Sequence, residues 1–140
     1  MAYVIVGASA SGINAAKTLR ENDKNIEIIL VSKDEYVYSR CILHHFLDGR
    51  REIEALDFTP KNFFEMYNIK WIKGVEVIGI DVKEKKLKLS NNEDLSYDKV
   101  LLAAGSSSFL PPIENLRTAN NVIGLRNLDD AEKIKELAKT

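Results

Sequence analysis

Apolar and polar positions alternate along this chain in three distinct rhythms. Tyr3-Val4-Ile5-Val6 is a continuous apolar run, too short for a helix and rich in β-branched residues, so it reads as a buried strand. Small residues follow, Gly7-Ala8-Ser9-Ala10-Ser11-Gly12, and a helical period then runs from Ile13 to about Glu21. A second apolar run over 26–31 completes a β-α-β unit of about 30 residues. Over 69–98 the period drops to two. Strands at 69–72, 75–82 and 87–89, linked by polar turns at 83–86 and 90–94, predict an antiparallel meander. The continuous apolar pattern returns at Lys99-Val100-Leu101-Leu102-Ala103-Ala104-Gly105, which predicts a buried parallel strand. An amphipathic period closes the chain over 127–139, with Leu128, Ala131, Ile134, Leu137 and Ala138 as its stripe and Asn127 as its cap.

Chemistry concentrates where these rhythms change. A strand–turn–helix unit aims the main-chain N–H groups and positive end of its helix at whatever lies above the turn, and phosphate or pyrophosphate suits that place. Gly7 and Gly12 hold the first and third positions of a G-x-G-x-x-G fingerprint, with Ser9 in place of the second glycine. The turn is read as holding a nucleotide cofactor; the competing reading is a tight turn with no ligand. Dinucleotide folds place a ribose-binding acid about 20 residues further on, where this chain has Ser32-Lys33-Asp34-Glu35. Counting lands on Ser32, and the choice between its hydroxyl and a nearby carboxylate stays open.

The segment 36–49, YVYSRCILHHFLDG, mixes aromatics, Arg40, Cys41 and both histidines. A short helix carrying Cys41, Leu43, His44, Phe46 and Leu47, with Arg40 at its start, is expected. Such placement would lower the thiol pKa; the alternative is a buried cysteine acting as a small hydrophobe. Three candidate ligands without a second cluster do not make a metal site, and none is expected. Thr59-Pro60 reads as N-cap and first helical residue of a helix to about Tyr67, packed through Phe63, Phe64, Met66 and Tyr67.

Composition narrows the classes. With 20 basic and 21 acidic residues in 140, no global field attracts nucleic acid or an anionic membrane, and the lysines of the meander read as a solvated sheet face. No apolar run approaches a membrane span, and no basic segment precedes the first one, so neither an anchor nor a signal peptide is expected. One cysteine fits a reducing cytoplasm.

Four features in order, GASASG, YSRCIL, VEVIGIDVKEKKLKL leading to LSYDKVLLAAGS, and LRNLDDAEKIKEL, resemble the N-terminal part of the FAD-dependent pyridine nucleotide–disulfide oxidoreductases. The resemblance is to the branch holding NADH oxidases, coenzyme A disulfide reductases, NADH:rubredoxin reductases and the flavin part of nitrite reductase. It implies a Rossmann-like α/β fold with a parallel central sheet and an inserted antiparallel meander. Residues 1–126 would be part of the FAD-binding domain and 127–140 a connector helix. It implies FAD with its pyrophosphate at Gly7, Ala8, Ser9, Ala10, Ser11, Gly12 and Ile13. The adenosine would lie near Ser32, Lys33 and Val77, and the flavin near Arg40, Cys41, Ala103, Ala104 and Gly105. Ala104 stands where the family usually has threonine. Cys41 holds the redox-thiol position of one branch, yet Tyr38-Ser39-Arg40 before it follows the branch without that thiol. The resemblance further implies NAD(P)H as co-substrate and oxygen, a disulfide or an iron-sulfur or rubredoxin-type protein as acceptor. A NAD(P)H domain, an interface domain and homo-oligomerisation would belong to the full-length enzyme, of which this chain is expected to be an inactive fragment. The competing class is a nucleotide-binding regulatory or scaffold module without turnover.

Overall fold

The computed structural model describes residues 1–139. In chain order the elements are β1 (Ala2–Val6), α1 (Ala10–Asn22), β2 (Glu27–Ser32), α2 (Leu43–Leu47), α3 (Phe63–Met66), β3 (Ile69–Lys73), β4 (Val77–Asp81), β5 (Lys86–Leu89), β6 (Asp94–Ser96), β7 (Lys99–Leu102) and α4 (Leu128–Leu137). They form two compact units. One comprises Met1–Val37 and Phe58–Gly105, the other Tyr38–Asp57 with the residues from Ser106 onward.

The first unit is built on a parallel sheet of order β3-β2-β1-β7. Its two inner strands are covered on both faces, which is why they read as unbroken apolar runs. Ile5, Ile28 and Leu30 point to one face and pack with Ile13 and Ala16 of α1 and with Phe63. Val4, Ile29 and Val31 point to the other face, against Leu87, Leu89 and Tyr97. Each such aliphatic side chain contributes about 1.5–3 kcal/mol by leaving water. The antiparallel sheet β4-β5-β6 supplies that second cover, with an irregularity between Val77 and Gly79 where β4 meets β5.

Two expectations change here. The strand at 69–72 does not join the meander: β3 pairs in parallel with β2, Ile28 opposite Ile69 and Ser32 opposite Lys73. A period of two describes a half-buried strand whatever its partner, so it carried no information about which sheet β3 would enter. β7 is parallel as expected, in register with β1, but it is an edge strand, and Leu101 and Leu102 are 44% and 63% exposed.

Helix ends also shift. α1 begins at Ala10, three residues before the apolar period, and its first turn approaches the sheet at Gly12, where there is no room for a side chain. The Thr59-Pro60 start does not form. α3 opens at Phe63 after Asn62, which takes a left-handed conformation at φ 60°, and the Pro60 carbonyl only accepts a bond from the Phe63 N–H.

Arg20 ties this unit together from inside, at 6% exposure. Its guanidinium donates to the Tyr67 and Asn68 carbonyls, both at 2.9 Å, and to the Lys24 carbonyl at 2.9 Å. One planar cation thereby satisfies the turn after α1 and the turn before β3, using the fixed fork that lysine lacks.

In the second unit, Tyr38, Leu43, Phe46 and Leu56 pack with Leu128 and Ala131 of α4. The short helix expected from Arg40 to Leu47 is divided into a 3-10 turn, Arg40–Ile42, followed by the single turn of α2. α4 has the cap read from the sequence: the Asn127 side chain accepts from Asp130 N–H at 2.8 Å, and the Asp130 carboxylate accepts from Asn127 N–H at 3.1 Å. The Tyr38 hydroxyl adds an acceptor for the Leu128 N–H at 3.2 Å.

Arg20→Ala should lower unfolding free energy by about 2–3 kcal/mol, since it strands several buried carbonyls, and urea unfolding measures it. A second expectation is electrostatic. The Asp48 carboxylate accepts from Arg50 Nε at 2.7 Å, and this bond holds its pKa down to about 2 from 3.8. Because the folded value is depressed, the pair's support is complete above the unfolded value and is lost as pH falls through about 2. An NMR titration of the Asp48 carboxyl should show the low midpoint, and Arg50→Ala should return it towards the ordinary value.

Candidate functional site: the glycine turn and the strand ends beside it

The turn after β1 is built by close backbone approaches. Gly7 donates its N–H to the Val31 carbonyl at 2.8 Å, continuing the β1–β2 ladder, while Ala103 donates to the Val6 carbonyl at 2.8 Å on the other side. Gly7 has φ +112°, and a Cβ there would meet the Ala103 carbonyl oxygen at 2.4 Å. At Gly12 a Cβ would lie 1.8 Å from the Gly7 carbonyl oxygen. Both glycines are therefore required by space, and Gly7 by conformation as well. Ser9 is different: its φ of −90° and ψ of −175° are ordinary extended values, so a serine in place of the second glycine strains nothing.

Ser9 is the N-cap of α1, yet its side chain makes no capping bond, and no acid occupies the first turn. The positive end of a helix spanning Ala10–Asn22 is thus left without an internal side-chain acceptor or a countercharge. Ala8, Gly12 and Ile13 are buried, Ser9 is half-buried, and Ala10 and Ser11 are exposed at this end. A small-residue cradle around bare N–H groups fits a phosphate and offers nothing to repel one.

The strand ends beside the turn carry the remaining candidates of this unit. Register places Val6 opposite Val31, so Ser32 follows directly alongside Gly7. Ser32 is 4% exposed. Its hydroxyl donates to the Asp34 carbonyl at 2.7 Å and accepts from Trp71 Nε1 at 2.8 Å, while its own carbonyl accepts from Val75 N–H at 3.0 Å. Lys33 and Glu35 are exposed, and Glu35 packs over Gly74, where a Cβ would sit 3.3 Å from Oε1. Ala103 is half-buried, Ala104 and Gly105 are exposed, and Gly105 turns the chain at φ +75°. Gly7 through Ile13, Ser32, Lys33 and Ala103 through Gly105 therefore gather at one edge of the sheet. Val77 lies on β4, paired with Leu89 in the antiparallel sheet. Sequence reading missed Trp71, because alternation alone assigned it to a strand face and nothing in the pattern links it to Ser32.

Arg40 and Cys41 belong to the second unit. Arg40 donates from Nη1 to the Arg126 carbonyl at 3.1 Å and lies 5.3 Å from the centre of the Tyr38 ring. Cys41 is exposed, against the alternative of a buried hydrophobe. His44 and His45 lie side by side, ring centres 4.1 Å apart, and burial followed by the Arg50 charge lowers the His45 pKa. No helix among the described residues is long and apolar enough to cross a membrane.

A parallel sheet whose first strand runs through a glycine turn into a bare helix N-terminus defines a dinucleotide-binding α/β domain. The comparisons extend this to a family. The family model for pyridine nucleotide-disulphide oxidoreductases matches residues 1–140. An NADH oxidase of Methanocaldococcus jannaschii is 31% identical over 143 residues, covering 96% of this chain and 31% of the relative. A rubredoxin-NAD(+) reductase of Pseudomonas putida is 31% identical, over 96% of this chain and 35% of the relative. Among solved structures, NADH:rubredoxin oxidoreductase from Clostridium acetobutylicum superposes with a TM-score of 0.84 at 26% identity, over 99% of this chain and 36% of that one. Reduced CoADR-RHD from Bacillus anthracis gives 0.84 at 27% identity, over 99% and 26%. The chain belongs to the pyridine nucleotide-disulphide oxidoreductase family. It spans about a third of the length of these two curated relatives.

Gly12→Ala should destabilise the chain by about 3 kcal/mol or more, because backbone rather than a flexible side chain must give way. Ser9→Gly, at an ordinary backbone conformation, should change the melting temperature little; thermal unfolding of both variants gives the contrast.

Proposed function

We propose that this chain is the FAD-binding portion of a flavin-dependent NAD(P)H oxidoreductase. The observation that carries the reading is the uncapped, acid-free N-terminus of α1 set behind two glycines that backbone contact makes irreplaceable. Within the turn from Gly7 to Ile13, the N–H groups at the start of α1 hold the pyrophosphate, while those of Gly7 and Ile13 stay bonded to the Val31 and Ser9 carbonyls. The small side chains of Ala8, Ser9, Ala10 and Ser11 let the pyrophosphate approach. Ser32 and Lys33 at the end of β2 flank the adenosine, with Val77 as a further adenosine contact. Ala103, Ala104 and Gly105 carry backbone to the ligand at the end of β7. What the cofactor supplies when bound is hydride acceptance and onward transfer of electrons; the protein positions it.

Arg40 and Cys41 are proposed as the residues serving the reacting end. An exposed thiol is accessible for exchange, which a redox role requires. The NADH oxidase and rubredoxin-NAD(+) reductase relatives support NAD(P)H as the electron source. Oxygen, a disulfide or a small iron protein is the acceptor class in the whole protein, which we place in the cytoplasm on the strength of its lone free cysteine.

Purified chain should take up added FAD with quenching of flavin fluorescence and carry flavin absorbance through gel filtration. Protein that remains colourless after incubation with excess FAD would overturn the reading. Gly7→Ala should abolish uptake, since the new methyl would meet the Ala103 carbonyl.

A further inference from the structure

We propose that Trp71 is a positioning residue for the adenosine ribose of the bound nucleotide, acting through the Ser32 hydroxyl. The inference rests on the FAD reading and concerns only how the adenosine end is fixed. A serine hydroxyl has one proton and two acceptor lone pairs. In Ser32 the proton is committed to the Asp34 carbonyl at 2.7 Å and one lone pair to Trp71 Nε1 at 2.8 Å. One lone pair is left. Ser32 can therefore accept a bond from a ribose hydroxyl but has no proton to donate to one.

A carboxylate at this place would present two oxygens to the ribose, so its exact rotation would matter little. A hydroxyl with a single remaining lone pair has to be oriented, and Trp71 orients it. The indole is itself held. It stacks on Phe64 with ring centres 4.3 Å apart and planes 13° apart, and its backbone is in register with Leu30 on β2. The Ser32 carbonyl is anchored as well, by Val75 N–H at 3.0 Å. Hydroxyl, main chain and indole thus fix one edge of the turn 32–35 immediately beside Gly7, where the nucleotide enters.

The test uses ADP, the adenosine half of FAD, and the one tryptophan of the chain, whose indole N–H gives a single NMR signal. In nitrogen-15-labelled protein, ADP should shift the amides of Gly7 and Gly12 together with the Trp71 indole. Ser32→Ala should move the indole signal before ligand is added. Both Ser32→Ala and Trp71→Phe, which keeps a ring on Phe64 but loses the donor, should weaken ADP about three- to tenfold, the worth of one net hydrogen bond. If the glycine amides respond while the indole stays still, Trp71 does not serve the ligand. If Ser32→Ala binds ADP as tightly as the parent chain, the inference is equally overturned, including when either variant lowers the melting temperature. Should Trp71→Phe fail to fold, the Ser32→Ala affinity and the indole response decide. Failure of ADP and FAD to move the glycine amides would instead bring down the nucleotide reading itself.

Discussion

The first unit depends on how closely backbone can approach backbone at the end of β1. A Cβ at Gly12 would stand 1.8 Å from the Gly7 carbonyl oxygen, and one at Gly7 would stand 2.4 Å from that of Ala103. The helix, the turn and the residue following β7 therefore meet with no side chain between them. This approach seats Ile13 and Ala16 on Ile5, and it leaves the first turn of α1 facing outward without a cap. Core packing and the open helix end are in this way two results of one steric condition. A residue that filled the gap would separate the helix from the sheet and close the cradle together.

Much of this was legible from the chain because the residues concerned report physical extremes. Strands covered on both faces must be apolar throughout, so β1 and β2 stood out. The Asn127 cap was legible because its partner Asp130 lies within one turn. What stayed hidden was non-local. Nothing near Ile69 says that its strand will run beside β2, since alternation is the same for a parallel and an antiparallel neighbour. Arg20 lies inside the helical period read from Ile13 to about Glu21, and its acceptors lie 47 and 48 residues away in main-chain carbonyls that no residue type announces. The glycine turn was legible as the link from strand to helix, whereas the Trp71–Ser32 bond was not, being a pairing between two strands whose adjacency was itself unpredicted.

Ser9 illustrates how a departure from a pattern is judged. By fingerprint alone it weakens the turn. By geometry it is neutral, because its backbone is extended and its side chain makes no bond to the helix it precedes. The glycines on either side carry the whole steric requirement. The family fingerprint is thus met where space forbids anything else and relaxed where space permits.

The bond from Leu128 N–H to the Tyr38 hydroxyl joins residues 90 positions apart. The second unit is accordingly discontinuous in the chain, split around the stretch Phe58–Gly105 that completes the first. During synthesis the parallel sheet has all its strands once Leu102 has emerged, whereas Tyr38, Leu43 and Leu56 must wait for Leu128 and Ala131 to complete their core. Until then those apolar groups have no α4 to cover them. The order of translation thus gives the glycine turn and its sheet a head start over the segment carrying Arg40 and Cys41.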